Sequence, residues 1–383
     1  MDFALSDEQS ALKSVTADFV NREIMPYAAE WDRAEQVDLA IVGKLADMGI
    51  FGMTIPEQYG GSGGDHIAYC IAMEELGRGD SSVRGIVSVS LGLVAKTILA
   101  YGTEDQKHEW LPKLCRGEAL GCFGLTEPGS GSDAASLATR AERKGDCWVL
   151  SGTKMFITNG TWAKLAIVFA RTGGPGARGI SAFLVPTDRP GFSVREIKGK
   201  LGLRGQATAE LVLDAVEVPD AWRLGEEGKG FAIAMSTLDK GRMSLAAGCV
   251  GIGQGCLDAS VEYAKQRTQF GRPIAGFQLV QALISDIAVE TAAARLLVWK
   301  VADLIDRGLP FAADASIAKL YASEMAVRAA NNALQVFGGY GYVDEFPVGK
   351  YLRDARVTTV YEGTSQVQRL IIGRSLTGIP AFS

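Results

Sequence analysis

The pattern of apolar and polar positions divides the chain into three textures. In residues 1–119 the pattern is mostly helical. "DEQSALKSVTADFVNREIMPYAAEWDR" repeats apolar residues every three or four positions after a Ser6/Asp7 cap, which predicts an amphipathic helix. "YGGSGGDH" breaks the pattern, and "IAYCIAMEELGRGD" and "GLVAKTILAYG" resume it. In residues 120–227 short runs rich in Val, Ile, Phe and Thr lie between Asn-Gly, Gly-Gly and Pro-Gly turns. That spacing predicts a β-barrel or sandwich. In residues 228–383 the pattern is helical again. "GFAIAMSTLDKGRMSLAAGCVGIGQGCLDASVEYAKQR" predicts one long helix. Each glycine in it costs about 0.8–1.0 kcal/mol relative to alanine, so packing must favour it. Ala246, Ala247, Gly248, Gly251 and Gly255 would permit that close packing. The expected fold is therefore multidomain α+β: an N-terminal all-α domain, a middle β domain and a C-terminal four-helix bundle.

Composition keeps this picture within ordinary globular limits. The chain has 383 residues, 47% hydrophobic and 22% charged, enough for two or three domains with normal cores. Net charge is −5 and the pI is near 5.4, with no block of like charge. A nucleic-acid or anionic-membrane surface is not expected. "MDFALSDEQSALKSV" is acidic and lacks the apolar run of a signal peptide. The weakly charged run Ser244 to Cys256 is too short and too rich in glycine to span a bilayer. Six cysteines form no C-x-x-C, so neither a zinc pattern nor a disulfide framework follows, and a reducing, cytoplasmic compartment is expected. His66 and His108 are the two histidines. Both are expected at the surface, without company for a metal site or a Ser-His-Asp mechanism. Acid–base chemistry would then fall to a carboxylate.

Several stretches could carry chemistry. "VYEGTSQVQR" places Glu362 just before a helix that a Ser365–Gln368 capping box would open at about Ser365. Two readings stay open there: a carboxylate offsetting the helix dipole by about 0.3–1 kcal/mol, or a catalytic base on a loop held by a rigid helix. "FGLTEPGSGSDAAS" could hold a phosphate on its backbone N–H groups and the Ser132 hydroxyl, or be a long turn. "KMFITNG" reads as a strand, with Phe156 and Thr158 on one face and Met155 and Ile157 on the other. "LDKGR" sets Asp239 and Arg242 three apart, usually a surface helix pair. "RTQFG" looks like a helix end, with Arg267 in the last turn and Gly271 as the stop. "QVFGGYGY" carries Gly338 and Gly339, which allow a ligand or another chain to come close.

In this order and at these separations, "GLTEPGSGSD", "KMFITNG", "RTQFG", "QVFGGYGY" and "YEGTSQVQ" resemble the acyl-CoA dehydrogenase family, most closely its short-chain, butyryl-type members. The resemblance spans essentially the whole chain. It implies FAD bound between the β domain and the C-terminal bundle, in a homotetramer built from dimers. Phe123, Leu125 and Thr126 would lie beside the flavin pyrimidine edge. Phe156, Ile157 and Thr158 would lie along the ring, with Thr158 near N5. Ser132 would touch both cofactor and substrate. Arg267, Gln278, Gln335, Gly338 and Gly339 would reach the cofactor's phosphates and adenosine from a neighbouring subunit, and Phe270 would also bind the cofactor. Thr364 and Gln366 would contact it after the catalytic loop. Asp239 and Arg242 would meet the pantetheine arm of coenzyme A. Phe156 stands where a Trp is commoner in the family, and Gln366 where a Glu is commoner.

The resemblance also makes Glu362 the base. It would take the α-proton of an acyl-CoA as the β-hydrogen leaves as hydride to the flavin, giving a trans-2-enoyl thioester. The Gly363 N–H, with a ribityl hydroxyl, would stabilise charge on the thioester oxygen. Some relatives carry the base on the long helix at the position of Gly241, which cannot serve here. Electrons would pass to an electron-transfer flavoprotein. A short acyl chain of about four to six carbons is expected, since each methylene that fits gains about 0.8 kcal/mol and one that meets the pocket floor causes strain. Two rivals stand beside this reading. One is a same-fold flavoenzyme acting on a carrier-protein-bound acyl group or passing electrons to oxygen. The other is a non-catalytic scaffold.

Overall fold

The computed structural model describes residues 4–381. Its N-terminal helices are α1 (Asp7–Glu23), α2 (Ala28–Ala34), α3 (Ala40–Asp47), α4 (His66–Gly79), α5 (Ser81–Val87), α6 (Lys96–Tyr101) and α7 (Glu104–Cys115). The Ser6 cap forms as expected: the Ser6 side chain accepts from Gln9 N, and Gln9 reaches back to Ser6 N. Between α5 and α6 the residues Ser88–Ala95 form a π-helix, a rare winding often found beside functional sites. From Ser81 to Tyr101 this helix is long and apolar enough to cross a membrane by length and composition alone. In the fold, 83% of its apolar window is buried against protein.

The middle region contains β1 (Gly121–Gly124), β2 (Arg140–Lys144), β3 (Cys147–Thr158), β4 (Leu165–Arg171), β5 (Ile180–Pro186), β6 (Phe192–Glu196), β7 (Thr208–Pro219) and β8 (Arg223–Leu224). They form one eight-stranded sheet ordered β6-β7-β3-β2-β4-β5-β8, with β1 added parallel to β4. Both faces are covered. On β4, Ile167 and Phe169 join the core shared with the helices, while Ala166, Val168 and Ala170 join a second core closed by Trp148, Leu150, Leu211 and Val216. This period-two division follows from the strand pleat. It explains why β4 and β5 read as continuous apolar runs rather than alternating ones.

The C-terminal region has α8 (Gly230–Gln266), the hairpin β9–β10 (Thr268–Gln269 and Arg272–Pro273), α9 (Gln278–Asp306), α10 (Ala312–Phe337), α11 (Val348–Thr358) and α12 (Ser365–Thr377). The long helix forms despite its glycines, and the structure shows why. A Cβ on Gly77 of α4 would fall 2.5 Å from the Gly248 carbonyl oxygen, and one on Gly255 would fall 2.5 Å from the Tyr351 hydroxyl. Small residues let α4 and α11 seat directly on the α8 backbone. "RTQFG" differs from expectation. Arg267 is the C-cap of α8, and Phe270 and Gly271, at φ +50° and +74°, make the tip of the hairpin. Two central residues with positive φ suit a two-residue hairpin, so Gly271 turns a strand pair rather than stopping a helix.

Candidate active site

The cavity at the meeting of the three regions is assembled from distant parts of the chain. β1 delivers Phe123, and the following loop delivers Leu125, Thr126 and Ser132. That loop is pinned from beneath. Lys154, fully buried in β3, holds the Glu127 carboxylate at 2.7 Å, and the same carboxylate accepts from Ala138 N at 2.6 Å and Thr139 N at 3.0 Å. Burial pulls the Lys154 ammonium down to about 8. Burial pushes Glu127 up, but Lys154 and the two N–H donors hold it below its ordinary value.

The end of β3 supplies Phe156, Ile157 and Thr158. A register shift between Lys154 and Ile157 interrupts the expected alternation, and Phe156 takes φ +60°. A bulge re-aims side chains locally. Ile157 is buried in the β core, while Phe156 is 66% exposed. Phe156, Ile157 and Thr158 all border a cavity of about 220 Å³. Its other wall comes from the helices: Arg84 and Ser88 of the α5 and π segments, Val89 and Leu93 of the π-helix, and Phe231, Met235, Leu238 and Arg242 of α8. A wider depression of about 890 Å³ on the β domain, near Arg143 and Trp148, shares no lining residue with this cavity.

Glu362 and Gly363 enter on the loop before α12. Glu362 has φ +54° and Gly363 φ +88°, and such a conformation in a non-glycine residue must be held by its surroundings. Lys319 donates to the Gly363 carbonyl at 2.7 Å. Gln368 donates to the carbonyls of Glu362 and Gly363, each at 3.1 Å. Arg242 Nε donates to the Glu362 carbonyl at 3.4 Å and Nη1 to Asp239 at 2.5 Å. The helix cap differs from expectation. Thr364, not Ser365, caps α12 by accepting from Val367 N, because Gln368 is engaged with the loop carbonyls and Ser365 is buried.

The Glu362 carboxylate is the exceptional group. Its Oε2 is buried and has no hydrogen-bond partner. Burial pushes its pKa above the ordinary carboxylate value, against the opposing pull of Arg84, Lys319 and Arg242. Gly241 makes room for it: a Cβ there would lie 2.6 Å from Oε2 and 2.8 Å from Leu93 Cδ2. An unpaired, dry carboxylate facing a cavity can accept a proton from a bound carbon acid.

Of the residues singled out from sequence, Phe123, Leu125, Thr126, Ser132, Phe156, Ile157, Thr158, Arg242, Glu362 and Gly363 border this one cavity. Asp239 adjoins it through Arg242, which is buried rather than part of a surface pair. Thr364 caps α12, and Gln366 is exposed on its first turn. Arg267, Gly338 and Gly339 border a separate open groove of about 590 Å³, with Tyr263, Phe337 and Tyr340. Phe270 is 93% exposed at the hairpin tip, and Gln278 and Gln335 are exposed on α9 and α10. His66 is not a free surface residue: its Nδ1 meets Asp306 at 2.5 Å in a half-buried pair.

Sequence reasoning missed Arg84, Lys319 and Tyr361, and read Gln368 as a helix cap rather than as a donor to the loop carbonyls. Arg84 donates to the Tyr361 hydroxyl at 2.8 Å, and its Nε is buried without a partner. Lys319 carried a legible signal: it lies on a helical stripe of small residues, Ala315, Ser316, Ala318, Ala322 and Ser323, all buried. A lysine on such a stripe must find a partner inside.

The fold and this carboxylate-bearing junction are those of an α–β–α oxidoreductase. The chain belongs to the acyl-CoA dehydrogenase family: models of that family's N-terminal, middle and C-terminal domains match residues 6–118, 122–216 and 228–377. The chain is 44% identical to the human short-chain specific acyl-CoA dehydrogenase, mitochondrial, over 97% of this chain and 90% of that protein. It superposes on butyryl-CoA dehydrogenase from Megasphaera elsdenii with a TM-score of 0.96 at 43% identity, covering 98% of this chain and 100% of the other. It superposes on glutaryl-CoA dehydrogenase from Mycobacterium smegmatis with a TM-score of 0.94 at 39% identity, covering 99% and 97%.

Proposed function

We propose that this chain carries out FAD-dependent α,β-dehydrogenation of a short acyl-CoA thioester, with Glu362 as the base. The observation that carries the reading is the Glu362 Oε2 atom, buried, unbonded and bordering the same cavity as Thr158. The residues present suit a flavin. Phe156 offers an uncovered aromatic face. Leu125, Thr126, Ile157 and Thr158 edge the cavity with apolar surface and hydroxyls, and added Cβ atoms on Gly129 and Gly131 would meet nothing within 4 Å. When bound, FAD supplies the hydride acceptor.

The chain's own groups do the rest. Glu362 removes the α-proton, which becomes acidic only as charge moves onto the thioester oxygen. The Gly363 N–H donates to that oxygen, at the start of a loop whose carbonyls are already tied down. Leu93, Val89, Phe231 and Leu238 exclude water from the acyl chain. Asp239 and Arg242 border the pantetheine arm, and Ser132 touches both ligands.

Arg267, Phe270, Gln278, Gln335, Gly338 and Gly339 serve the cofactor of a neighbouring subunit in a homotetramer, and Thr364 and Gln366 touch the cofactor beside the catalytic loop. The exposure of Arg267, Phe270, Gln278, Gln335, Gly338 and Gly339 in the single chain supports a shared site. Domains at 1–119, 120–227 and 228–383, an electron-transfer flavoprotein as electron acceptor, and a role in fatty-acid metabolism belong to the same reading. A cytoplasmic, reducing location is supported by six free cysteines.

A second reading of the substrate is favoured by Arg84. This buried guanidinium borders the cavity, has an unpartnered Nε and pairs with no carboxylate among the described residues. A short acyl chain ending in a carboxylate would satisfy it, as the likeness to a glutaryl-CoA dehydrogenase suggests. One experiment separates the two: kcat/KM with a dye acceptor for straight-chain acyl-CoA thioesters of about four to about sixteen carbons, branched thioesters and glutaryl-CoA, where each methylene that fits gains about 0.8 kcal/mol. A maximum among short uncharged chains supports the first reading. A maximum with glutaryl-CoA, lost in Arg84→Met, supports the second. A maximum at eight or more carbons (~C8), or with a branched chain, overturns both while leaving the base untouched.

A further inference from the structure

The turn that carries Glu362 and Gly363 is held by two buried donors, Lys319, which sequence reasoning did not find, and Gln368, which it read as a helix cap. Lys319 is fully buried on α10 and forms no ion pair with any carboxylate among the described residues. Burying an ammonium is costly unless it is well partnered. Its partner here is a neutral acceptor, the Gly363 carbonyl at 2.7 Å. Gln368, also fully buried, lies so close that a Cβ on Gly363 would fall 2.6 Å from its Nε2. Its Nε2 bridges the carbonyls of Glu362 and Gly363, while its Oε1 has no partner.

Two consecutive carbonyls are therefore fixed in a left-handed turn that Glu362, as a non-glycine residue, does not favour. The Glu362 carbonyl and the Gly363 N–H belong to one peptide unit. A donor on that carbonyl both orients the N–H and strengthens it as a donor, since hydrogen bonds in a chain polarise one another. From this geometry we infer that Lys319 and Gln368 are positioning residues: they clamp the turn so that the Glu362 carboxylate and the Gly363 N–H converge on one reacting centre, and Lys319, when protonated, adds a positive charge beside the base. The inference rests on the reading of Glu362 as the base.

The two residues are distinguishable because one carries charge and the other does not. The charged and titratable groups around Glu362 are Tyr69 on α4, Arg84 on α5, Asp239, Arg242 and Cys249 on α8, Lys319 on α10 and Tyr361 in the loop itself. Removing Lys319 leaves the two arginines to oppose burial, so the carboxylate holds its proton to higher pH. Removing Gln368 changes no charge.

The test uses flavin-loaded enzyme with the preferred thioester. Lys319→Gln, Lys319→Arg, Gln368→Leu and Glu362→Gln are compared by kcat, KM, the acid limb of kcat/KM against pH, and flavin content. Lys319→Gln is expected to lose kcat by on the order of 10–10² through misplacement of the base, and to move the acid limb to higher pH. Lys319→Arg should bring the limb back. Gln368→Leu should lose kcat without moving the limb, and KM should change little in each. Should Lys319→Gln not fold, the limb in Lys319→Arg and the kcat of Gln368→Leu carry the test. A wild-type kcat in Gln368→Leu together with an unmoved limb in Lys319→Gln overturns the clamp. So does a Lys319→Gln enzyme whose loss is confined to flavin content. Full turnover in Glu362→Gln overturns the reading of the base instead, so the two failures are separable.

Discussion

The cavity at Glu362 and the groove at Arg267 are made of similar residue types but finished to different degrees. In the cavity one chain supplies the base, its loop, the β floor and the helical wall. Arg242 is buried and Glu362 Oε2 is shielded from solvent. In the groove, Arg267 lies over the Tyr340 ring at 5.3 Å but remains exposed, as do Gly338 and Gly339. Phe270, with Phe277 edge-on to it, stands 93% exposed. The contrast teaches which chemistry belongs to the single chain. On our account proton abstraction is built within it, and the outer groove is half of a site that a neighbouring subunit completes.

The largest expected effect lies in the finished cavity. Glu362→Gln is nearly isosteric but accepts no proton, so turnover should fall by about 10²–10⁴ or more with yellow, folded protein and retained ligand binding. Turnover within a few-fold of wild type would return Glu362 to a helix-dipole role. Next comes the floor. Lys154→Met strands the buried Glu127 carboxylate, which should cost about 3–5 kcal/mol in denaturant unfolding. A loss below ~1 kcal/mol would mean the loop that carries Thr126 and Ser132 is held by other contacts.

The half-site should respond more gently. On our account Arg267 meets a phosphate of a neighbouring subunit's cofactor, so Arg267→Ala should remove a charge-assisted contact of roughly 1.5–3 kcal/mol. Flavin loss on dilution is expected, with smaller assemblies in sedimentation. Unchanged flavin occupancy and sedimentation would erase the contrast between the two regions. The smallest effect is the pH profile. Burial raises the Glu362 pKa above its ordinary value, and the base must be ionised to act. kcat/KM should therefore rise with pH through that raised pKa and fall below it, with the acid limb above the usual carboxylate range. The Arg267→Ala limb should coincide with wild type, because Arg267 belongs to the other region.

Local features were legible in the sequence, and long-range ones were not. The Ser6 cap and the 37-residue α8 follow from near-neighbour patterns. Glu362 stood out through its motif, although its surroundings did not. The cap of α12 was misread because Gln368, three residues past Ser365, spends its amide on the loop carbonyls. The alternation through Phe156 and Ile157 failed at a bulge, which no period-two pattern encodes. Arg84 was invisible because its partner lies 277 positions away, and the small-residue stripe around Lys319 showed that it needs a partner inside but not which one, 44 positions away. Their burial depends on how helices pack, and one sequence does not fix that packing.

The central claim is that Glu362 takes the α-proton. The direct measurement is hydrogen exchange at that carbon, in heavy water, of an acyl-CoA thioester with a quaternary β-carbon. Such a compound has an α-proton to lose and no β-hydrogen to transfer, so exchange reports the base alone. Wild-type enzyme should exchange the α-proton, and Glu362→Gln should do so slower by about 10²-fold or more, with ligand binding retained. Equal exchange in the two proteins would contradict the account.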